Sequence, residues 1–256
     1  MGQFLPGRGR LLIPWEILLA LPLAVLGSPP APAPSAAPAE QGSYSALSNA
    51  VDPAHGLLPG DASWSAARVV SWGDPPYATS FRALWGGRGL LLRFDAQDPS
   101  PWHTLEKRDD PLFQEEVVEI FLEPPGAPGE YVEIEVSPAN VVCDLRIDLP
   151  HQRFDRSWDF RGLKTRVEKS WDSGAPSGFV VTAFLPWSGL PPSGAYSLPP
   201  RQGDRWRFNV FRIKRPGGPQ EPEKGALYLA WSATGQRSFH VPAAFRDLVF
   251  EVEPRY

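Results

Sequence analysis

The chain has 256 residues, 42% of them hydrophobic, and a formal net charge of -4. That length suits one large domain with a leader, and a mildly acidic chain without a basic run argues against nucleic acid as a partner. Cys143 is the sole cysteine, which excludes an intrachain disulfide, and Met1 is the sole methionine.

Residues 1–27 read as an export signal. Arg8 and Arg10 supply a positive start, Ile17–Leu26 a short apolar run, and Val25-Leu26-Gly27 before Ser28 a small-residue cleavage site. Pro14 and Glu16 interrupt the pattern, so an uncleaved N-terminal anchor is the alternative, and a membrane is a partner only in that case. Residues 28–43 are a Pro/Ala linker that has too little apolar surface to pack. The folded part is expected from 44 to 256. With the leader, this places the protein in the secreted or periplasmic space of the cell envelope.

Ala66–Trp72, Thr79–Leu84 and Leu90–Phe94 are the first predicted strands, the last two joined by a Gly-rich hairpin loop. Residues 95–114 form a long polar loop carrying Trp102. The strongest pattern follows, over Glu115–Asp148. Val118, Ile120 and Leu122 alternate with Val117, Glu119 and Phe121; after the turn PPGAPG, Val132, Ile134 and Val136 alternate with Tyr131, Glu133 and Glu135. A third run brings Val142, Asp144 and Arg146 out of phase with Cys143, Leu145 and Ile147. Such period-2 segments between Pro/Gly clusters are antiparallel strands, with one face on a core and the other toward water or a ligand. Residues 152–161 are irregular. Thr165–Trp171 with Phe179–Leu185 make another hairpin, and Trp206–Ile213, Tyr228–Trp231 and Leu248–Val252 complete the strands. About ten to twelve short strands without a helical period describe an all-β antiparallel sandwich.

The reactive residues offer little. His55, His103, His151 and His240 lie on loop-like ground, there is no GxSxG elbow, and Cys143 falls on a buried strand face, so no catalytic residue is assigned. Neither CxxC, HExxH nor an EF-hand loop occurs; the acidic loops Asp95–Asp98 and Asp109-Asp110 could hold calcium, or could simply be solvated. Glu119 with Glu133 or Glu135 could stand roughly 5–10 Å apart, the spacing of glycoside-hydrolysing carboxylates. Acidic residues on a sheet face are equally ordinary without catalysis. Of the Trp residues, most belong to the core, but Trp102 and Trp231 sit beside polar loops. Flat rings there suit sugar stacking, with polar neighbours for the hydroxyls.

Seven stretches in order, DASW at 61–64, LLLRFDAQD at 90–98, VVEIFLEP at 117–124, YVEIEVSPAN at 131–140, FVVTAFLPWSGL at 179–190, GDRWRFNVFRI at 203–213 and WSATGQRSFHVPAAF at 231–245, resemble the family 9-like carbohydrate-binding modules. The resemblance spans about Asp61 to Glu251. It implies an immunoglobulin-like sandwich that binds carbohydrate between two Trp, with structural calcium nearby. By position it points to Trp102 and Trp231 as the two rings, Glu119 as the strand carboxylate, and Arg146, Asn209 and Arg212 as hydroxyl contacts. His240 matches a recurrent His whose role the resemblance does not give. The alternatives are a haem or redox module with His or Lys as axial ligands, a glycoside-acting enzyme, and a structural domain of the cell envelope.

Overall fold

The computed structural model describes residues 42–48 and 64–252. The export-signal segment, the linker up to residue 41, residues 61–63 of the DASW stretch and His55 lie outside them. Among the described residues no helix is long and apolar enough to cross a membrane.

Among the described residues, thirteen strands carry the fold: β1 (Ser43–Ser48), β2 (Val70–Trp72), β3 (Thr79–Gly86), β4 (Gly89–Gln97), β5 (Val117–Glu123), β6 (Glu130–Val136), β7 (Val142–Asp148), β8 (Arg153–Asp155), β9 (Lys164–Asp172), β10 (Ala175–Pro186), β11 (Arg205–Lys214), β12 (Leu227–Ala230) and β13 (Arg246–Glu251). They follow one hydrogen-bonded path, β8-β7-β6-β5-β11-β13-β1-β3-β4-β10-β9, with β12 on β11 and β2 on β3. The path folds over, so that β5, β6 and β11 face β3, β4 and β10 across one core. Every pairing is antiparallel except those of β1, which runs parallel to both β13 and β3. The first strand thus joins the two halves, and the expected all-β sandwich has this parallel seam.

Alternation decides the inner face. Val118, Ile120 and Leu122 on β5, Val132, Ile134 and Val136 on β6, and Phe208 and Val210 on β11 meet Phe81, Ala83, Leu92, Phe94, Phe179 and Val181 from the other half. Tyr44 is wholly buried in β1; its hydroxyl donates to the Arg68 carbonyl at 2.7 Å and accepts from the Ala83 N–H at 2.7 Å. Trp85 and Trp187 bury their rings and send their indole N–H to the Glu251 and Gly86 carbonyls. Apolar bodies with satisfied polar tips are what a close-packed sandwich requires. At a bulge in β10, Gly178 passes so close to β4 that a Cβ there would stand 2.0 Å from the Ala96 carbonyl.

The outer face of β5, β6, β7 and β11 is not open, contrary to the alternation's simplest reading. Val117, Phe121, Tyr131, Cys143, Leu145, Ile147, Phe211 and Ile213 form a second core there, roofed by Leu112, Phe239 and Phe245 from the segments 105–114 and 228–245. Cys143 is fully buried in it, and burial pushes its thiol far up.

Candidate functional site

The register of β5 to β7 gathers three glutamates on that roofed face. Glu119 stands opposite Glu135, Phe121 opposite Glu133, and Glu135 opposite Cys143 on the next strand. Directly opposed residues have Cβ atoms about 5 Å apart. Glu119, Glu133 and Glu135 are only 2%, 5% and 1% exposed. Among the described residues, Glu119 Oε1, Glu133 Oε2 and Glu135 Oε2 have no hydrogen-bond donor. Buried polar atoms are normally partnered, and these three carboxylate oxygens on one face are exceptions.

The electrostatics follow from burial. Loss of water, reinforced by the neighbouring Glu135, drives the Glu119 and Glu133 carboxyls well above the usual range. Burial lifts Glu135 to about 7 against the opposing hydrogen bond from Glu133 and the charge of Arg156. Of this pair, Glu133 holds its proton more tightly than Glu135. A protonated carboxyl beside an ionised one offers both a donor and acceptors, which matches a hydroxyl that itself gives and takes.

Aromatic and cationic side chains flank the three glutamates. The Arg156 guanidinium lies 5.6 Å from the Phe113 ring centre, and Tyr228 has Arg215 at 5.3 Å and Arg237 at 4.3 Å. Phe239 stacks on Phe211 with ring centres 4.3 Å apart. Arg215 is buried and fastens this corner together: it donates to the Phe113 carbonyl at 2.7 Å and to the Glu115 carbonyl at 3.3 Å, and it pairs with Glu223.

His240, unassigned by sequence, also belongs here. It stacks on Phe121 at 5.1 Å, meets Phe154 edge-on at 5.0 Å, and shares a 2.8 Å hydrogen bond through Nδ1 with the Tyr131 hydroxyl. Burial pushes it down to about 4, so at neutral pH it is an uncharged ring 4.0 Å from Glu133 Oε2.

The other residues singled out by sequence are dispersed. Of the six, Glu119 lies among the three glutamates. Trp231 is 7% exposed and packs on Phe208 inside the main core, so it offers no ring face to a ligand. Its backbone N–H donates to Val210, whereas the indole of half-buried Trp102 donates to the Arg215 carbonyl at 2.8 Å. Those two anchor points are five residues apart along β11 and its extension, about 16 Å at strand rise. Asn209 is fully buried and locks Ser232: its amide donates to the Ser232 carbonyl at 2.8 Å and its oxygen accepts from the Ser232 N–H at 3.1 Å. Arg146 lies on the other side of β7, pairs with Glu130 at 3.1 Å, and borders a groove lined by Pro124, Pro125 and Tyr196.

Arg212 belongs to a buried ionic cluster at the end of the main core. Its guanidinium donates to Asp98 Oδ2 at 2.6 Å and to the Gln97 carbonyl at 2.7 Å. The fully buried Lys214 ammonium donates to Asp98 Oδ1 at 2.9 Å, Glu116 Oε1 at 2.5 Å and the Ser100 carbonyl at 3.1 Å. This cluster fastens the end of β4 to β11. Two cationic side chains already hold Asp98, and Asp95 pairs with Arg93, so these residues do not fit a divalent ion. In the second acidic loop, Asp109 lies with Asp144 and Asp159 close enough for one ion, but Arg108 reaches both Asp144 and Asp159.

Sequence reasoning overlooked Phe113, Arg156, Arg215 and Tyr228, and it paired Glu133 and Glu135 with Glu119 only as a hydrolytic possibility. The signal for the glutamates was present in their shared phase; the flanking groups come from loops with no period to read.

No family profile matches the chain. Solved structures do: a candidate carbohydrate-binding protein from Bacteroides uniformis aligns over 82% of this chain and 99% of its own, with a TM-score of 0.65 at 18% identity. A family 9 carbohydrate-binding module from Caldicellulosiruptor kristjanssonii in complex with cellotriose aligns over 83% and 95%, with a TM-score of 0.58 at 13% identity. The fold is that of the family 9 carbohydrate-binding modules. A family 9 carbohydrate-binding module from Caldicellulosiruptor kristjanssonii in complex with glucose gives 0.56 at 14% identity, over 84% and 97% of the two chains. At the sequence level, a relative from Arthroderma benhamiae named as an extracellular protein is 25% identical over 185 residues, 67% of this chain and 78% of its own.

Proposed function

We propose that the protein is an extracellular carbohydrate-binding domain whose ligand seats against the outer face of β5, β6 and β7. The observation that carries this reading is the set of donor-free oxygens on Glu119, Glu133 and Glu135, enclosed by Phe113, Tyr228, His240 and Phe239. Small-molecule sites of this kind are mostly apolar, with a few placed polar groups that fix orientation. The module-like fold and the extracellular relative support the same reading. Binding is reversible, and the domain would serve by holding a glycan for polysaccharide breakdown carried out elsewhere. A glycan array probed with the full chain and with Glu119→Ala tests it. Retention of one sugar class by the wild type, lost at least tenfold in a folded Glu119→Ala protein, is the expected result. Undiminished binding by the variant would move the site off this face, and silence toward all sugars would end the reading.

A further inference from the structure

The hydrogen-bonded path ends at β9, which runs for nine residues with β10 on one side and, among the described residues, no strand on the other. The opposite end of the path, β8, has only three residues. A long open edge is a template for a further strand, and charges along it normally deter pairing. In β9 the charges are arranged so that they admit one partner. Val167 stands opposite the core residue Val181 and, like Leu163 just before the strand, packs in part on the main core. By alternation Thr165, Val167, Lys169 and Trp171 share that face, and Lys164, Arg166, Glu168 and Ser170 share the other. Trp171 is 61% exposed, the most exposed large hydrophobic side chain among the described residues. Arg166 and Glu168 pair with each other and are both about half exposed.

We propose that β9 is a homodimer interface, two copies of the chain pairing antiparallel edge to edge with Val167 opposite Val167. Such a pair is related by a dyad normal to the sheet, which always sets one residue against its own copy. Centred on Val167, Arg166 of each copy faces Glu168 of the other, Lys169 faces Thr165, and Lys164 faces Ser170. On the core-side face the exposed Trp171 ring comes against Leu163 of the other copy, so opposite charges meet on one face and apolar groups on the other. The neighbouring registers fail. Centring on Arg166, Glu168 or Lys169 sets that charge against itself, and centring on Thr165 sets Lys164 against Arg166. Like charges directly opposite destabilise a strand pair, so the pattern selects a second copy in one register and disfavours the others. The pairing stands apart from the carbohydrate reading, and its failure would leave that reading untouched.

The test is sedimentation of the full chain from micromolar to millimolar concentration, with a reversible dimer as the expected result. Arg166→Glu and Glu168→Arg each turn two symmetry-related attractions into repulsions, and each should weaken dimerisation at least about tenfold. Arg166→Glu/Glu168→Arg exchanges the two charges and should restore the dimer. Trp171→Ser should weaken it by uncovering Leu163 of the other copy. All four variants change exposed side chains, and circular dichroism checks that each is folded. A monomer at every concentration would overturn the proposal, as would association beyond two chains. A dimer indifferent to both single reversals would place the contact elsewhere and also overturn it. So would a charge exchange that fails to recover what the single reversals lose, because opposition of Arg166 and Glu168 is what defines the register.

Discussion

Replacing Lys214 by Met isolates the most heavily buried ion-pair cluster among the described residues. The substitution roughly keeps the volume and removes the ammonium. Asp98 tolerates this, because Arg212 remains at 2.6 Å and the Ser100 N–H at 2.9 Å. Glu116 does not: it loses the 2.5 Å contact to Oε1 and retains only the Trp102 N–H at 3.2 Å on Oε2. Stranding one partner of a buried ion pair costs about 3–5 kcal/mol. For a domain of this size each kcal/mol moves the melting temperature by about 2–4 °C, so the variant should melt about 6–20 °C lower. Glu116 has an escape. Burial and the nearby Asp98 already draw its carboxyl up to about 7 against the pull of Lys214, and without Lys214 it will take a proton more readily. The loss should therefore be larger in mildly alkaline than in mildly acidic buffer, and Lys214→Met/Glu116→Gln should recover about half of it. Thermal melts followed by circular dichroism measure all four proteins of the cycle. A loss below about 1 kcal/mol for Lys214→Met, or a double variant no better than the single, would refute the claim that this cluster locks β4 to β11.

Three further outcomes follow from the same structure. Trp231→Ala should cost about 3–5 kcal/mol, as for a core aromatic, and denaturant unfolding that finds less than about 1 kcal/mol would put the ring outside the core. Asn209→Ala strips the partners from the buried Ser232 N–H and carbonyl and should cost about 2–3 kcal/mol by the same assay; a neutral effect would contradict its role as a pin. The ligand-free protein should lose stability as pH rises from about 6.5 to 8, by more than about 1 kcal/mol, since each pH unit of displaced titration is worth about 1.4 kcal/mol. The sign comes from the raised carboxyls: Glu135, at about 7 when folded and 4.5 when unfolded, stabilises below the unfolded value and loses that contribution as pH climbs through 7. His240, about 4 when folded and 6.5 when unfolded, acts oppositely but only below 6.5. A melting temperature that is flat or rising over that interval would be inconsistent with these protonations.

Much of the fold can be read from alternation, because one face of each strand must be apolar to close the sandwich. The parity that places Val118, Ile120 and Leu122 inward is unambiguous, and so are β6 and β7. β1 was harder: Tyr44 and Ala46 are its two wholly buried side chains, and the rest of SYSALS is too polar to announce a strand. Arg212 and Lys214 share parity with Phe208 and Val210, which puts them on the core side of β11. Their partner Asp98 lies more than a hundred residues away, so their charges read as available for a ligand when they are already neutralised. The outer face was misjudged for a related reason. Phe239 and Phe245, which cover it, come from a segment with no period, so nothing local says that Glu119, Glu133 and Glu135 are enclosed. Trp231 looked like a loop aromatic because only the Asn209–Ser232 lock turns its ring into the core.

Hydrogen–deuterium exchange of the full chain, with and without a saturating sugar taken from the array, tests the central claim most directly. The account predicts ligand-induced protection in residues 105–121, 131–136 and 228–240, which build and roof the three-glutamate face. Protection confined instead to the Pro124–Tyr196 groove or to the exposed edge strand β9, with the glutamate face unchanged, would contradict it.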